Sequence, residues 1–314
     1  MFVVCGEALW DLYGSDKGEG LSFDARIGGS PFNVAVGLAR LDQEAALFTG
    51  LSTDLLGEKL FAALKTEGVE TGFLLRSSRR TTLSLVTLGK DGSPSYAFYG
   101  DGAADRAVNL SDLPVFSRDI WGVHAGSFSL VTEPIGTSLL SLLGREAGER
   151  LVTLDPNVRL NVEPDLALWR ERLDAFLPTT DLVKVSEEDL GLLYPSAPPA
   201  ETAERWRAAG ATLVVVTYGR EGAEAFGSFG RVSVKGTEVD VVDTVGAGDS
   251  FMAALIAGLA ERSTKSREAL SRLRRDEVEA LITFATEAAG ITCGRRGADP
   301  PRRAELGAAA SQDG

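Results

Sequence analysis

Residues 239–260 constrain the chain more than any other stretch. Val239 to Val242 is valine-rich and reads as a strand. Asp243-Thr244-Val245-Gly246-Ala247-Gly248-Asp249-Ser250-Phe251 follows, and Met252 to Ala260 is apolar, small and free of proline. This order predicts a strand, a glycine turn and the start of a buried helix. A helix start presents unpaired backbone N–H groups and the positive end of the helix dipole. Gly246 and Gly248 let an anion approach that backbone closely. Asp249, in the same turn, would repel a phosphate. Its presence makes sense if the carboxylate removes a proton from a hydroxyl that attacks the phosphate. The plainer account of a bare Gly-x-Gly-Asp is a tight turn with an acid favoured by the helix dipole.

The chain is 314 residues long, 44% hydrophobic and 25% charged, which suits one large α/β domain or two small ones. A net charge of −13 argues against nucleic acid as a partner, though a local helix start still binds phosphate. The cysteines are Cys5 and Cys293, far apart, and His124 is the single histidine. Neither a disulfide framework nor a zinc or histidine-triad site is expected, and a reducing cytoplasm is the expected location. The N-terminal Met1 to Gly14 carries Glu7 and Asp11 and no basic start, so it reads as a first strand and not a signal peptide. Met252 to Ala260 is too short to span a membrane.

Strands are predicted at Phe2–Cys5, Ala45–Leu51, Trp121–Gly126, Leu151–Leu154, Leu182–Val185 and Leu213–Thr217, alternating with helical stretches. That alternation predicts a mostly parallel sheet covered on both faces. Polar clusters follow these strands: Asp11, Asp155 to Arg159, Ser186 to Asp189, Thr217 to Gly222. Ligands of open α/β sheets bind at such carboxyl ends. Gly28-Gly29 lead into another helix start, with Ser30 read as its cap and Pro31 as its first residue. Asn33 in that first turn suits an amide that bonds ligand hydroxyls. Leu56 to Glu67 reads as a helix ended by Gly68. Thr81–Gly89 and Ser95–Tyr99 read as a hairpin through Asp91-Gly92. A second hairpin is expected at Gly227 to Val234, a charged amphipathic surface region at Arg262 to Glu279, and a helix from Leu281 ended by Gly290. The tail from Ala304 is expected to fray.

The nine residues from Asp243 to Phe251 resemble the C-terminal signature of the ribokinase-like (PfkB) carbohydrate kinases. Gly28 to Ala39, with Gly50 and Gly57, resembles the N-terminal signature of the same family. The resemblance implies a ribokinase-like α/β fold, a mostly parallel sheet flanked by helices, as one kinase domain over residues 1–314. A small β lid would be built from parts of about 10–26 and 82–106, with Tyr96, Phe98 and Tyr99 lining its inner face. The ligands implied are ATP with Mg2+ and a small sugar. Asp249 would be the general base, with Gly246, Ala247 and Gly248 at the transferring phosphoryl group. Asp11, Gly28, Gly29, Asn33, Phe98 and Arg159 would hold the sugar. Thr217, Gly219 and Gly222 would hold the nucleotide with Gly246 and Gly248. The family's Asn-x-x-Glu element, which organises magnesium through water, reads Ser186 to Asp189 here, so Glu187 and Asp189 are expected in that role. Cys293 to Ala298 resembles the terminal turn at the adenine pocket and a monovalent-cation site, where Asp243 and K+ are expected. A homodimer through the lid is a further expectation.

Glu7 to Asp11, Gly28 to Asn33 and Asp155 to Arg159 are most similar to the bacterial fructokinase branch, which implies D-fructose as acceptor. Phe98-Tyr99-Gly100-Asp101 lacks the arginine that many relatives carry after the tyrosine. That keeps 2-keto-3-deoxygluconate kinase, ribokinase or another PfkB-type kinase open. A non-catalytic sugar-binding regulator is the alternative from another class, against which Asp249 and its two glycines speak. A dinucleotide-dependent oxidoreductase would need GxGxxG after the first strand, and Gly6-Glu7-Ala8 does not supply it.

Overall fold

The computed structural model describes residues 1–16, 20–88 and 94–307. The chain begins β1 (Phe2–Cys5), β2 (Leu9–Asp16), β3 (Leu21–Gly28), α1 (Ser30–Arg40), β4 (Ala45–Ser52), α2 (Leu55–Thr66), β5 (Leu74–Ser77), β6 (Thr82–Leu88), β7 (Pro94–Tyr99). It continues β8 (Gly122–Gly126), α3 (Ile135–Glu146), β9 (Leu151–Asp155), α4 (Leu166–Phe176), β10 (Leu182–Ser186), α5 (Glu187–Leu193), α6 (Pro199–Ala209). It ends β11 (Leu213–Thr217), β12 (Gly222–Gly227), β13 (Gly230–Lys235), α7 (Ala247–Glu261), α8 (Arg267–Ser271), α9 (Arg275–Cys293).

Nine strands form one sheet in the order β13-β12-β11-β10-β9-β8-β1-β4-β5. Pairing is parallel from β11 to β5, and β12 and β13 add an antiparallel edge. The central strands are buried and mostly apolar, with His124, Thr153 and Lys184 as polar exceptions, as expected of a sheet covered on both faces. Phe2, Leu47, Val215 and helices α1, α7 and α9 build one core layer. Val3, Phe48, Val214, Trp169 and Trp206 build the other. The chain winds from β1 outward to β4 and β5, then returns to β8 on the opposite side of β1. The strand order therefore reverses between β1 and β8, and a crevice opens at that point beyond the strands' carboxyl ends.

A separate four-stranded sheet runs β3-β2-β6-β7. Its β6–β7 pair is the hairpin read from the sequence, with Leu83 opposite Tyr99. The turn itself, 89–93, lies outside the described residues, as does the side chain of Tyr96. Phe98 and Tyr99 are strand neighbours and so point to opposite faces. Tyr99 is exposed, which removes it from the inner face.

Three local expectations are corrected. Val239 to Val242 is not a strand: the N–H groups of Val242 and Asp243 bond the Cys293 carbonyl at the end of α9, and the valines are exposed. Gly290 does not end a helix. α9 runs on to Cys293, and Gly290 lets Thr237 and Val239 cross the helix closely. Arg262 to Glu279 is amphipathic, with Leu270, Leu273 and Val278 in the core and most of its charges at the surface. Ser30 is the first residue of α1 and Gly29 its cap, because the Ser30 hydroxyl has another partner. At the C-terminal end Leu306 is buried, and 308–314 lie outside the described residues.

Candidate active site

Helices α1 and α7 start at the same place and lie side by side. Their approach is close because Gly37 faces Ala253; a Cβ on Gly37 would sit 2.7 Å from the alanine methyl. Two positive helix ends therefore converge. Gly246 caps α7 in the left-handed region, at φ 77°, which brings Asp249 into the first turn. Asp249 is 8% exposed and is gripped from α1. The Ser30 hydroxyl donates to its Oδ1 at 2.6 Å and the Asn33 amide donates to its Oδ2 at 2.8 Å. Each carboxylate oxygen keeps a lone pair free. The Ala247 N–H points to the Thr244 carbonyl at 3.3 Å, so the amides open at this helix start are those of Gly248 and Asp249.

The four-stranded sheet presents one row of side chains to this point. Arg26, Asp11, Ser84 and Phe98 are directly opposite one another across β3, β2, β6 and β7, and so share a face. Gly28 leaves the room that the Asp11 carboxylate occupies; a Cβ there would lie 2.1 Å from Oδ2. Burial pushes the Asp11 pKa up, the Ser84 hydroxyl and the Arg159 charge pull it back, and Asp249 pushes it up again. Asp11, Arg159 and Asp249 thus face one cleft. Arg159 is exposed there and donates to the Val158 carbonyl at 3.0 Å. Phe98 stacks edge-on against Phe128, with ring centroids 5.9 Å apart. Gly29 belongs to the turn that carries β3 past the Glu7 carbonyl into α1.

Beneath α7 lies an ion pair absent from the sequence reading. Lys184 of β10 donates to Asp155 Oδ2 of β9 at 2.9 Å, with side-chain exposures of 5% and 0%. Burial drives the lysine pKa down, but Asp155, then Asp189 and Asp249, outweigh it, and the net shift is upward. Asp189 is buried, and its Oδ1 accepts the Val158 N–H at 3.0 Å. Glu187, two residues earlier, is exposed. Among the described residues no three His, Cys, Asp or Glu side chains group as a metal cage.

On the other side of α7 the site is open. Gly219, at φ 54°, has free space where a side chain would be, which suits approach by a ligand. Gly222 has a packing reason instead: a Cβ would lie 2.0 Å from the Val234 carbonyl. The Thr217 hydroxyl lies 3.5 Å from the Val185 carbonyl. Asp243 accepts the Val245 N–H at 3.1 Å and the Gly297 N–H at 2.9 Å, tying the α7 turn to the terminal turn.

Three buried polar contacts escaped sequence reading: Ser30 with Asp249, Lys184 with Asp155, and Glu7 with Ser129. The second had a visible signal, a lysine inside the otherwise apolar run Leu182 to Val185. Asn33 is placed differently from the expectation, since its amide bonds Asp249.

A buried carboxylate at a helix start, at the switch point of a parallel sheet beside a second small sheet, is the architecture of the ribokinase-like carbohydrate kinases. The chain belongs to the pfkB family of carbohydrate kinases, whose pattern it matches over residues 1–304. It is 38% identical over 260 residues to a fructokinase of Rhizobium leguminosarum bv. trifolii, covering 82% of this chain and 79% of that one. The structure of a Xylella fastidiosa fructokinase with bound ATP superposes with TM-score 0.83 at 25% identity, covering 95% of this chain and 93% of that one. A double mutant of a Vibrio cholerae O395 fructokinase with fructose, ADP and potassium bound does so with TM-score 0.78 at 26% identity, covering 95% of this chain and 93% of that one.

Proposed function

We propose that this kinase transfers the γ-phosphoryl group of ATP to the primary hydroxyl of D-fructose, giving fructose 6-phosphate. The observation that carries the chemistry is the Asp249 carboxylate at the head of α7, held by Ser30 and Asn33 and facing the cleft shared with Asp11 and Arg159. The sugar lies between the α1 start and the four-stranded sheet, which acts as its lid. Asp11, the Gly28-Gly29 turn and Arg159 hold its hydroxyls, and Phe98 packs on its apolar face. Asn33 and Ser30 aim the base. Asp249 takes the proton of the attacking hydroxyl, while the Gly248 and Asp249 amides stabilise charge on the transferring group.

The nucleotide lies along Gly246, Gly248, Thr217 and Gly219, with Val241 and Val242 as apolar contacts for its base. Mg2+ would suit this site as an ion held mainly through water, since no three His, Cys, Asp or Glu side chains group as a cage among the described residues. Asp189, with one oxygen outside its bond to Val158, and exposed Glu187 suit contact through water. When bound, the ion supplies positive charge to the β- and γ-phosphates. K+ belongs beside the two turns that Asp243 ties together. A second copy of the chain docks on the lid edge.

A coupled ADP-release assay with fructose, ribose, 2-keto-3-deoxygluconate and adenosine tests the acceptor, and fructose is expected to give the highest kcat/KM. Asp249→Asn is expected to lower kcat by at least ~10²–10⁴ with the ATP KM unchanged. Near-normal turnover in that variant rejects the base.

A further inference from the structure

Lys184 is a charge in the middle of a central strand, where β9 and β11 pair on either side. Among the described residues Asp155 is its one hydrogen-bond acceptor, at 2.9 Å. The other oxygen of Asp155, Oδ1, is buried without a partner. A pair placed for stability alone is poorly built this way, because buried charges repay desolvation only when their remaining bonds are satisfied. The location is specific. A Cβ on Gly248 would lie 2.9 Å from Lys184 Nζ, so the ammonium packs against the residue that carries one of the two open amides of α7. The groups facing it are Asp155 of β9, Asp189 of α5, Asp249 of α7 and His124 of β8. His124 is buried and neutral, its Nδ1 3.0 Å from the Thr153 hydroxyl. Asp155 thus holds the cation directly, while Asp189 and Asp249 are near enough to favour its charge.

We infer that Lys184 is a positioning residue for phosphoryl transfer, supplying positive charge from beside the amide pocket of Gly248 and Asp249. The inference rests on the phosphotransfer reading above. In the step, a bond forms between the sugar oxygen and the γ-phosphorus, and the bond from that phosphorus to the β–γ bridging oxygen breaks. The hydroxyl proton goes to Asp249 and ADP departs. Lys184 gives up no proton. It offsets the repulsion between the incoming phosphates and the three acids, and its effect grows as charge moves onto the leaving group.

Lys184→Met keeps the length of the side chain and removes the charge. Its kcat is expected to fall by roughly 10²–10³, the loss typical of a donor that stabilises a transition state, while the fructose KM stays within about threefold. The variant strands Asp155, so the double variant Asp155→Asn/Lys184→Met is measured beside it. The double variant is expected to recover thermal stability and to keep the low kcat. Recovery of both stability and turnover in the double variant would show a merely structural pair and overturn the inference, as would near-normal kcat in Lys184→Met. Asp249→Asn is run in parallel. Inactive Asp249→Asn with active Lys184→Met rejects the lysine alone, whereas active Asp249→Asn rejects the base on which both readings stand.

Discussion

Glu7 leaves β1 at the switch point and is 1% exposed. Its Oε2 accepts the Ser129 hydroxyl at 2.5 Å. Burial pushes its pKa up to about 7 from an ordinary 4.5, and the Ser129 and Ser127 hydroxyls pull it back. Between those two values the folded chain holds a proton that the unfolded chain has released. Glu7 therefore favours the fold most below pH 4.5, and its contribution is lost as pH rises toward 7. Asp105, buried and raised to about 6, adds a slope of the same sign. Glu7→Gln removes the Glu7 part. Urea unfolding at pH 5 and pH 8 is expected to show the variant gaining on the wild type by up to ~3 kcal/mol as pH rises. An unchanged difference between the two pH values would refute a buried neutral Glu7. The sequence displayed this acid but not its burial, because Ser129 lies far along the chain and only the fold brings it near.

At the scale of elements, the α7 turn depends on a conformation and on a neighbour. Gly246 is left-handed, and a Cβ there would lie 2.5 Å from the Ala298 methyl of the terminal turn. Gly246→Ala is expected to cost about 1–3 kcal/mol in unfolding free energy. It is also expected to raise the ATP KM, since the terminal turn must move and Asp243 holds the two turns together. Denaturant titration and steady-state kinetics read the two effects. A variant of wild-type stability would mean the contact yields freely. The glycine turn and the helix after it were legible, because the φ requirement and the apolar run are local properties. The absent strand before them was not. Val239 to Val242 has strand residues, yet it pairs with no strand among the described residues, and the end of α9 takes the N–H groups of Val242 and Asp243 instead.

At the scale of the molecule, β3 is one of the two edge strands of the four-stranded sheet, and Leu21 and Phe23 on it are 74% and 46% exposed. An exposed apolar edge invites pairing with another chain. With the dimer proposed through this edge, Leu21→Glu/Phe23→Glu is expected to convert dimer to monomer in sedimentation equilibrium. A wild type that sediments as a monomer at all concentrations would dismiss this arrangement. Among the described residues no helix is long and apolar enough to cross a membrane.

By itself the sequence determined the parallel α/β class, the two glycine-led helix starts and the acid at the second of them. Each rests on spacing within a few residues, where periodicity, capping and backbone freedom act directly. The tertiary structure decided what those pieces meet. It turned Asn33 and Ser30 onto Asp249, placed Lys184 against Gly248, and gave Gly28 and Gly222 packing duties. Such pairings join residues tens to hundreds of positions apart. They are set by which strands lie side by side and by the need to satisfy each buried charge, neither of which is written in any short stretch of chain.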